Sequence, residues 1–375
     1  MPHGSIGRVW WLPLLAVPLT QGAPDDADPA VVAIVRADGV AQCTGTVIAE
    51  RVVLTAAHCG VQVDPSAYRV FFGAQISGAG ITIDIVEAVA HPAYDDTEAH
   101  DLALVLLAEA SPSAPVIAAS SPPPAQLRIV GFGDTAGGAL DGDRKREGTT
   151  MVTSSTPLSL VLGADPSLPC SGDSGGPAFA TDGSIAAVIS RGDPDCASYG
   201  KATRVDAHLA DFIVPYVAAT APGTIDVGER CKYDAHCTSG ACVTALDEPL
   251  LRYCSTACRR DGDCPEAMTC DHETCRYPVP TPGAIGSTCA ATDECVRGEC
   301  IDAGYCSVRC VSGRDDCPDD FACSHLGGID FFCTPIPADG GCCDAGSSGS
   351  SGAVLCGLLL AGYLSRGRRC SSRCS

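Results

Sequence analysis

The chain has 375 residues, 46% of them hydrophobic, with 41 glycines, 27 prolines and 25 cysteines. That length predicts two or three domains, and the apolar fraction supports a real core. A formal charge of −21 argues against nucleic acid and anionic membrane as partners, and so many cysteines fit an oxidising compartment unless they bind metal.

At the amino terminus Arg8 precedes an apolar run over residues 9–19, with small residues at Thr20 and Gly22. About 11 apolar residues are too few to span a bilayer, and Pro13 and Pro18 disfavour a buried strand. Residues 1–22 therefore read as a signal peptide, and the protein as secreted or held at the cell surface. Short apolar, β-branched runs follow at 31–35, 46–48, 52–54, 70–72, 81–89, 102–107 and 127–130, separated by Gly, Pro or Asp. Such spacing predicts an all-β sandwich or barrel. Val205, Leu209, Phe212, Ile213 and Tyr216 recur at helical spacing, so an amphipathic helix ends this domain, with Pro215 limiting its regular run.

Three stretches of the domain carry chemistry. Cys170-Ser171-Gly172-Asp173-Ser174-Gly175-Gly176-Pro177 holds one serine at the centre of a glycine-rich turn. A serine hydroxyl becomes a useful nucleophile only when a base takes its proton and donors receive the oxyanion that forms. Upstream, Thr55-Ala56-Ala57-His58-Cys59 and His100-Asp101-Leu102-Ala103-Leu104 supply a base and an orienting carboxylate in the chain order His, Asp, Ser. Asp95 and Asp96 are rival acids, but neither is followed by the apolar strand that would bury and orient a carboxylate. His100 reads as an exposed loop residue and His208 as a solvated one on the terminal helix.

With those motifs in hand, residues 31–219 resemble a trypsin/chymotrypsin-family serine protease, and the domain extends over 23–219. The resemblance implies two six-stranded β-barrels with the site in the cleft between them. It implies His58 as general base, Asp101 as orienting acid and Ser174 as nucleophile, with the backbone N–H groups of Gly172 and Ser174 as oxyanion hole. Cys43–Cys59 and Cys170–Cys196 match two family disulfides, and Gly131-Phe132-Gly133 and His91-Pro92-Ala93-Tyr94 match familiar stretches. Leu168 falls at the expected floor of the specificity pocket, Ser190-Arg191-Gly192 along its wall, and Gly200 beside it. An apolar floor in an open pocket favours an apolar residue before the scissile bond, while Asp193 and Asp195 near the rim offer a basic one a partner. In the family a freed terminal ammonium pairs with the aspartate before the nucleophile, here Asp173. The matching residues Leu19-Thr20-Gln21-Gly22 overlap the signal peptide, with no Arg or Lys before them for a trypsin-like cut.

A linker at 220–230 leads to two copies of an eight-cysteine repeat, residues 231–276 and 289–335, joined by a linker at 277–288. Modules of about 50 residues bury little core and need disulfide staples. Eight cysteines allow 105 pairings, and zinc is a rival that the missing C-x₂-C pairs and an oxidising compartment disfavour. The copies serve as a stalk or as binding modules for an extracellular or cell-surface ligand. Residues 336–375 contain a Ser/Gly spacer, 12 apolar residues and an arginine cluster. A 12-residue helix reaches about 18 Å, too short for a bilayer. The order of cysteine, spacer, apolar segment and arginines is similar to myxobacterial C-terminal sorting tags, which implies membrane association only through this tail. No cofactor and no metal ligand are expected. The expected partner is a protein or peptide substrate; the rival reading is a catalytically weak protease-fold binding protein whose cysteine-rich modules recognise an extracellular partner.

Overall fold

The computed structural model describes residues 22–336, apart from 40, 96–98, 119–120, 164–165, 312–316, 319 and 328–329. Residues 1–21 and 337–375, and with them almost all of the signal-peptide and sorting-tag expectations, lie outside the described residues. Among those described, no helix is long and apolar enough to cross a membrane.

The first barrel is built from β2 (Val31–Arg36), β3 (Ala41–Ala49), β4 (Val52–Thr55), β5 (Tyr68–Phe72), β6 (Ile81–Ala90) and β7 (Ala103–Leu107). They close antiparallel in the order β2-β3-β4-β7-β6-β5. Val31 to Val35 of β2 and all of β7 are buried, because strands in the middle of a packed barrel read as continuous apolar runs. The second barrel uses β8 (Gln126–Gly131), β9 (Arg146–Ser155), β10 (Ser159–Gly163), β11 (Pro177–Phe179), β12 (Ile185–Gly192) and β13 (Tyr199–Arg204). Its ring runs β9-β10-β13-β12-β11-β8 and closes through β8–β9, with β1 (Ala23–Pro24) added along β9. The expected pair of six-stranded barrels is thus observed. Leu127, Ile129, Leu160, Leu162 and Leu168 fill the second core.

The terminal helical segment is less regular than its periodicity predicts. A 3₁₀ turn (Asp206–His208) and a π turn (Leu209–Ile213) precede the α-helix α1 (Val214–Ala219). Pro215 does not shorten α1; it sits in the first turn, where a missing amide costs no hydrogen bond.

The chain divides into compact units at residues 308 and 309, so the boundary cuts the second eight-cysteine copy. Its disulfides explain why. Pairing runs first to third and second to fourth within sets of four: Cys231–Cys242 with Cys237–Cys254, Cys258–Cys270 with Cys264–Cys275, Cys289–Cys300 with Cys295–Cys306, and Cys310–Cys323 with Cys317–Cys333. The covalent unit is therefore four cysteines, half of the repeat read from the sequence.

The first of these units docks on the two-barrel domain. Tyr233 is buried in the first barrel's cluster, with the Arg51 guanidinium 4.6 Å over its ring and its hydroxyl donating to the Thr220 carbonyl. His236 Nε2 lies 3.0 Å from the Ala219 carbonyl and Lys232 Nζ 2.5 Å from Glu87. Tyr233→Ala is expected to cost about 3 kcal/mol, as buried aromatic truncations do. Thermal melts and limited proteolysis around residue 225 test this; an unchanged melt and cleavage pattern would mean that the docking contributes no stability.

Candidate active site

His58 lies in the short turn Ala57–Cys59, which follows β4 and is tied to β3 by the Cys43–Cys59 disulfide. Asp101 immediately precedes the buried run Leu102 to Leu107 and is fully buried. Its Oδ2 is 2.7 Å from His58 Nδ1, and its Oδ1 accepts the His58 amide at 2.9 Å. Ser190 of β12 donates its hydroxyl to the same carboxylate at 2.5 Å. Burial alone would raise the Asp101 pKa; the bonds from His58 and Ser190 outweigh it and hold the carboxyl below its ordinary range. An ionised acceptor at Nδ1 makes that nitrogen the proton carrier, which leaves the lone pair of the neutral ring on Nε2.

Ser174 belongs to the turn between Cys170 and β11. Its hydroxyl donates to the Ser190 carbonyl at 2.9 Å. A nucleophile-to-base bond often tightens only when substrate arrives. Gly172 sits at φ +95°, a conformation open to glycine at little cost. Among the described residues, the amide N–H groups of Gly172 and Ser174 donate to no backbone carbonyl. They remain available to an oxyanion.

Thr44 of β3, which sequence reasoning missed, ties this turn to the first barrel. Its hydroxyl donates to the Gly172 carbonyl (2.7 Å) and accepts the Phe132 amide (3.0 Å), while its amide donates to the Ser174 carbonyl (2.8 Å). The clue was a fully buried polar position, Thr44, next to Cys43. Ser190 was read only as pocket wall, so its bond to Asp101 is also new.

Asp173 is 1% exposed and accepts the amides of Gly133 (2.8 Å) and Cys170 (2.9 Å). A Cβ at Gly133 would lie 2.4 Å from the Asp173 carboxyl carbon, so the Gly131-Phe132-Gly133 stretch owes this glycine to the aspartate. Burial pushes the Asp173 carboxyl up to about 7, against the two amides and Arg146.

Beside Ser174 lies a cavity of about 190 Å³ lined by Pro169, Ser171, Ser190, Arg191 and Gly192 among others. Leu168 and Gly200 do not line it. Leu168 is 1% exposed and packed with Leu160 and Leu162, and Pro169 lies where a Cβ of Gly200 would be, 2.6 Å away. Pro169, rather than Leu168, is among the residues that line the cavity. The Asp193 carboxylate is held low by the Ser198 hydroxyl and the amides of Ala197, Ser198 and Tyr199. It is occupied by its own loop. The Cys170–Cys196 disulfide closes that side. Two expectations about histidines fail: His208 is 1% exposed rather than solvated, and His100 is only half-exposed.

A family model described as Trypsin matches residues 20–213, just over half of the chain. The chain is similar to a trypsin of Saccharopolyspora erythraea, 30% identical over 194 residues, spanning 46% of this chain and 85% of that protein. It is also similar to granzyme M of Rattus norvegicus, 28% identical over 202 residues, 46% of this chain and 76% of that protein. Among solved structures, neuropsin, a serine protease expressed in the limbic system of mouse brain, aligns with a TM-score of 0.47 at 22% identity, over 52% of this chain and 99% of the neuropsin chain.

Proposed function

Since this chain belongs to the trypsin family, we propose that it is an exported serine endopeptidase working through Ser174, His58 and Asp101. The observation that carries the reading is the buried Asp101 carboxylate bonded to both the ring and the amide of His58. It fixes the tautomer whose Nε2 takes a proton. His58 removes the Ser174 proton as the hydroxyl attacks a peptide carbonyl, and the oxyanion settles on the Gly172 and Ser174 amides. The tetrahedral species collapses as His58⁺ protonates the leaving amine. Water then hydrolyses the acyl-enzyme by the same relay. Fluorophosphonate labelling of the processed protein, with Ser174→Ala as control, tests this; a wild type that resists labelling would favour the binding-protein reading.

The cavity of about 190 Å³ beside Ser174 selects small apolar side chains before the scissile bond. Each surplus methylene in so small a space costs about 1–3 kcal/mol. Peptide libraries are expected to show kcat/KM at least about 10-fold higher after Ala or Val than after Phe or Arg. Dominant cleavage after Arg or Lys would overturn this. Ten disulfides among the described residues fit an oxidising, extracellular setting, and residues 1–22 are proposed as the export signal. The first four-cysteine unit serves as a docked extension of the protease, and the units offer a surface for an extracellular partner.

A further inference from the structure

Three histidines that the proposed reaction does not use meet behind Asp101. His91 ends the β6 connection, His100 precedes the acid, and His208 comes from the 3₁₀ turn before α1. Their rings lie 4.7 to 5.1 Å apart, His91 stacked on His100 and His208 edge-on to both. One ring nitrogen of each lies within 4.8 Å of the other two. His91 is 7% and His208 1% exposed.

We infer that His91, His100 and His208 form a binding site for a divalent transition-metal cation of the zinc class, and that its occupancy lowers the activity. The His208 tautomer is suited to it, while the Ala93 amide donates to His91 Nδ1 at 3.1 Å, a bond that metal binding must rearrange. His208 Nδ1 faces the Arg204 carbonyl at 2.9 Å, so it carries the proton and leaves the Nε2 lone pair facing the cluster, 3.0 Å from His100 Nδ1. A metal-bound histidine normally has such an outer acceptor for its other nitrogen. On the open side, the Asp211 carboxylate lies 3.5 Å from His91 Nε2 and supplies negative charge.

The dimensions agree. Two nitrogens about 2.05 Å from a tetrahedral zinc lie about 3.4 Å apart, so the His100–His208 pair opens by only a few tenths of an ångström. The wider separations close by rotation about χ2, a broad torsion in histidine. Three imidazoles and a carboxylate suit zinc, nickel or copper rather than calcium or magnesium. The cation takes the place of the hydrogen bond between His100 and His208, and the proton of neutral His100 moves from Nδ1 to Nε2.

Occupancy bears on the acid one residue away. His100 holds a left-handed backbone, φ +57°, and its carbonyl accepts the Leu102 amide at 2.8 Å across Asp101. A ring drawn to the metal pulls on the segment that aims Asp101 at His58. This regulatory consequence rests on the peptidase reading; the site itself does not.

The test is calorimetric titration of untagged Ser174→Ala protein with ZnCl2. One equivalent should bind. His208→Gln and His100→Gln should each weaken binding by about 100-fold or more. If the buried His208 variant does not fold, the half-exposed His100 variant decides. Failure of the parent protein to bind at 10-micromolar-order free zinc, or unchanged binding in His100→Gln, would overturn the site. In the active enzyme kcat should fall with occupancy and recover on chelation; an unchanged kcat with one zinc bound would overturn the regulation and leave the peptidase reading untouched.

Discussion

Ser174→Ala is expected to lower kcat by about a millionfold while leaving the melting temperature nearly unchanged. The hydroxyl makes one bond, to the carbonyl of Ser190, which borders the cavity beside Ser174, so its loss costs only about 1 kcal/mol. The rate falls because neither His58 nor the oxyanion donors can act without a nucleophile. His58→Ala should be nearly as severe, and the double variant hardly worse, since the residues act as one unit. Asp101→Asn is expected to cost about 10⁴-fold by presenting the wrong tautomer. It should also cost more stability than Ser174→Ala, because Asp101 is fully buried and accepts from His58 and Ser190. Active-site titration with pre-steady-state acylation separates these cases. More than about 1% residual activity in Ser174→Ala, against an expected millionth, would place the nucleophile elsewhere.

The first barrel was readable because its strands are apolar runs: β2 and β7 have no polar residue among their buried positions. The second was not readable strand by strand. β9, Arg-Glu-Gly-Thr-Thr-Met-Val-Thr-Ser-Ser, is half-exposed and polar, and only its ladders to β8 and β10 make it a strand. The three motifs around His58, Asp101 and Ser174 were visible as sequence; their convergence needed the two barrels. Leu168 misled because position relative to Cys170 says nothing of which way a side chain turns, and Pro169, rather than Leu168, lines the cavity. His208 misled because a 3.6-residue period was applied to a 3₁₀ turn followed by a π turn, which shifts the buried face. Spacing showed the cysteine repeat, but its four-cysteine unit emerged only from the bonds.

Asp173 is expected to make activity depend on a free amino terminus near residue 22. The sheet order supplies the reach: Ala23 pairs with Glu147, and Glu147 with Val130, next to Gly131, whose added Cβ would touch the Asp173 carboxylate. Two strand spacings of about 4.8 Å separate β1 from β8, so a terminal ammonium released there lies within about 10 Å of a buried carboxylate that now has only amides for partners. Before processing, the folded pKa of about 7 stands above the unfolded value of 3.8. The folded chain then holds more protons than the unfolded one between those values, and stability falls as pH rises from about 4 to 7. An ammonium reverses the sign: it pulls the carboxyl down, so the processed form is stabilised above the unfolded pKa and loses that gain as pH falls. Melting curves from pH 4 to 7.5 on unprocessed and processed protein should therefore slope in opposite directions, the difference amounting to on the order of 4 kcal/mol at pH 7. Blocking the new terminus by acetylation, or Asp173→Asn, should lower kcat by about 10²–10³-fold, the cost of a misplaced oxyanion donor at Gly172. In Asp173→Asn both pH slopes should flatten. A blocked enzyme with full activity would mean that the Gly133 and Cys170 amides alone hold Asp173, and with it Gly172, in the active arrangement.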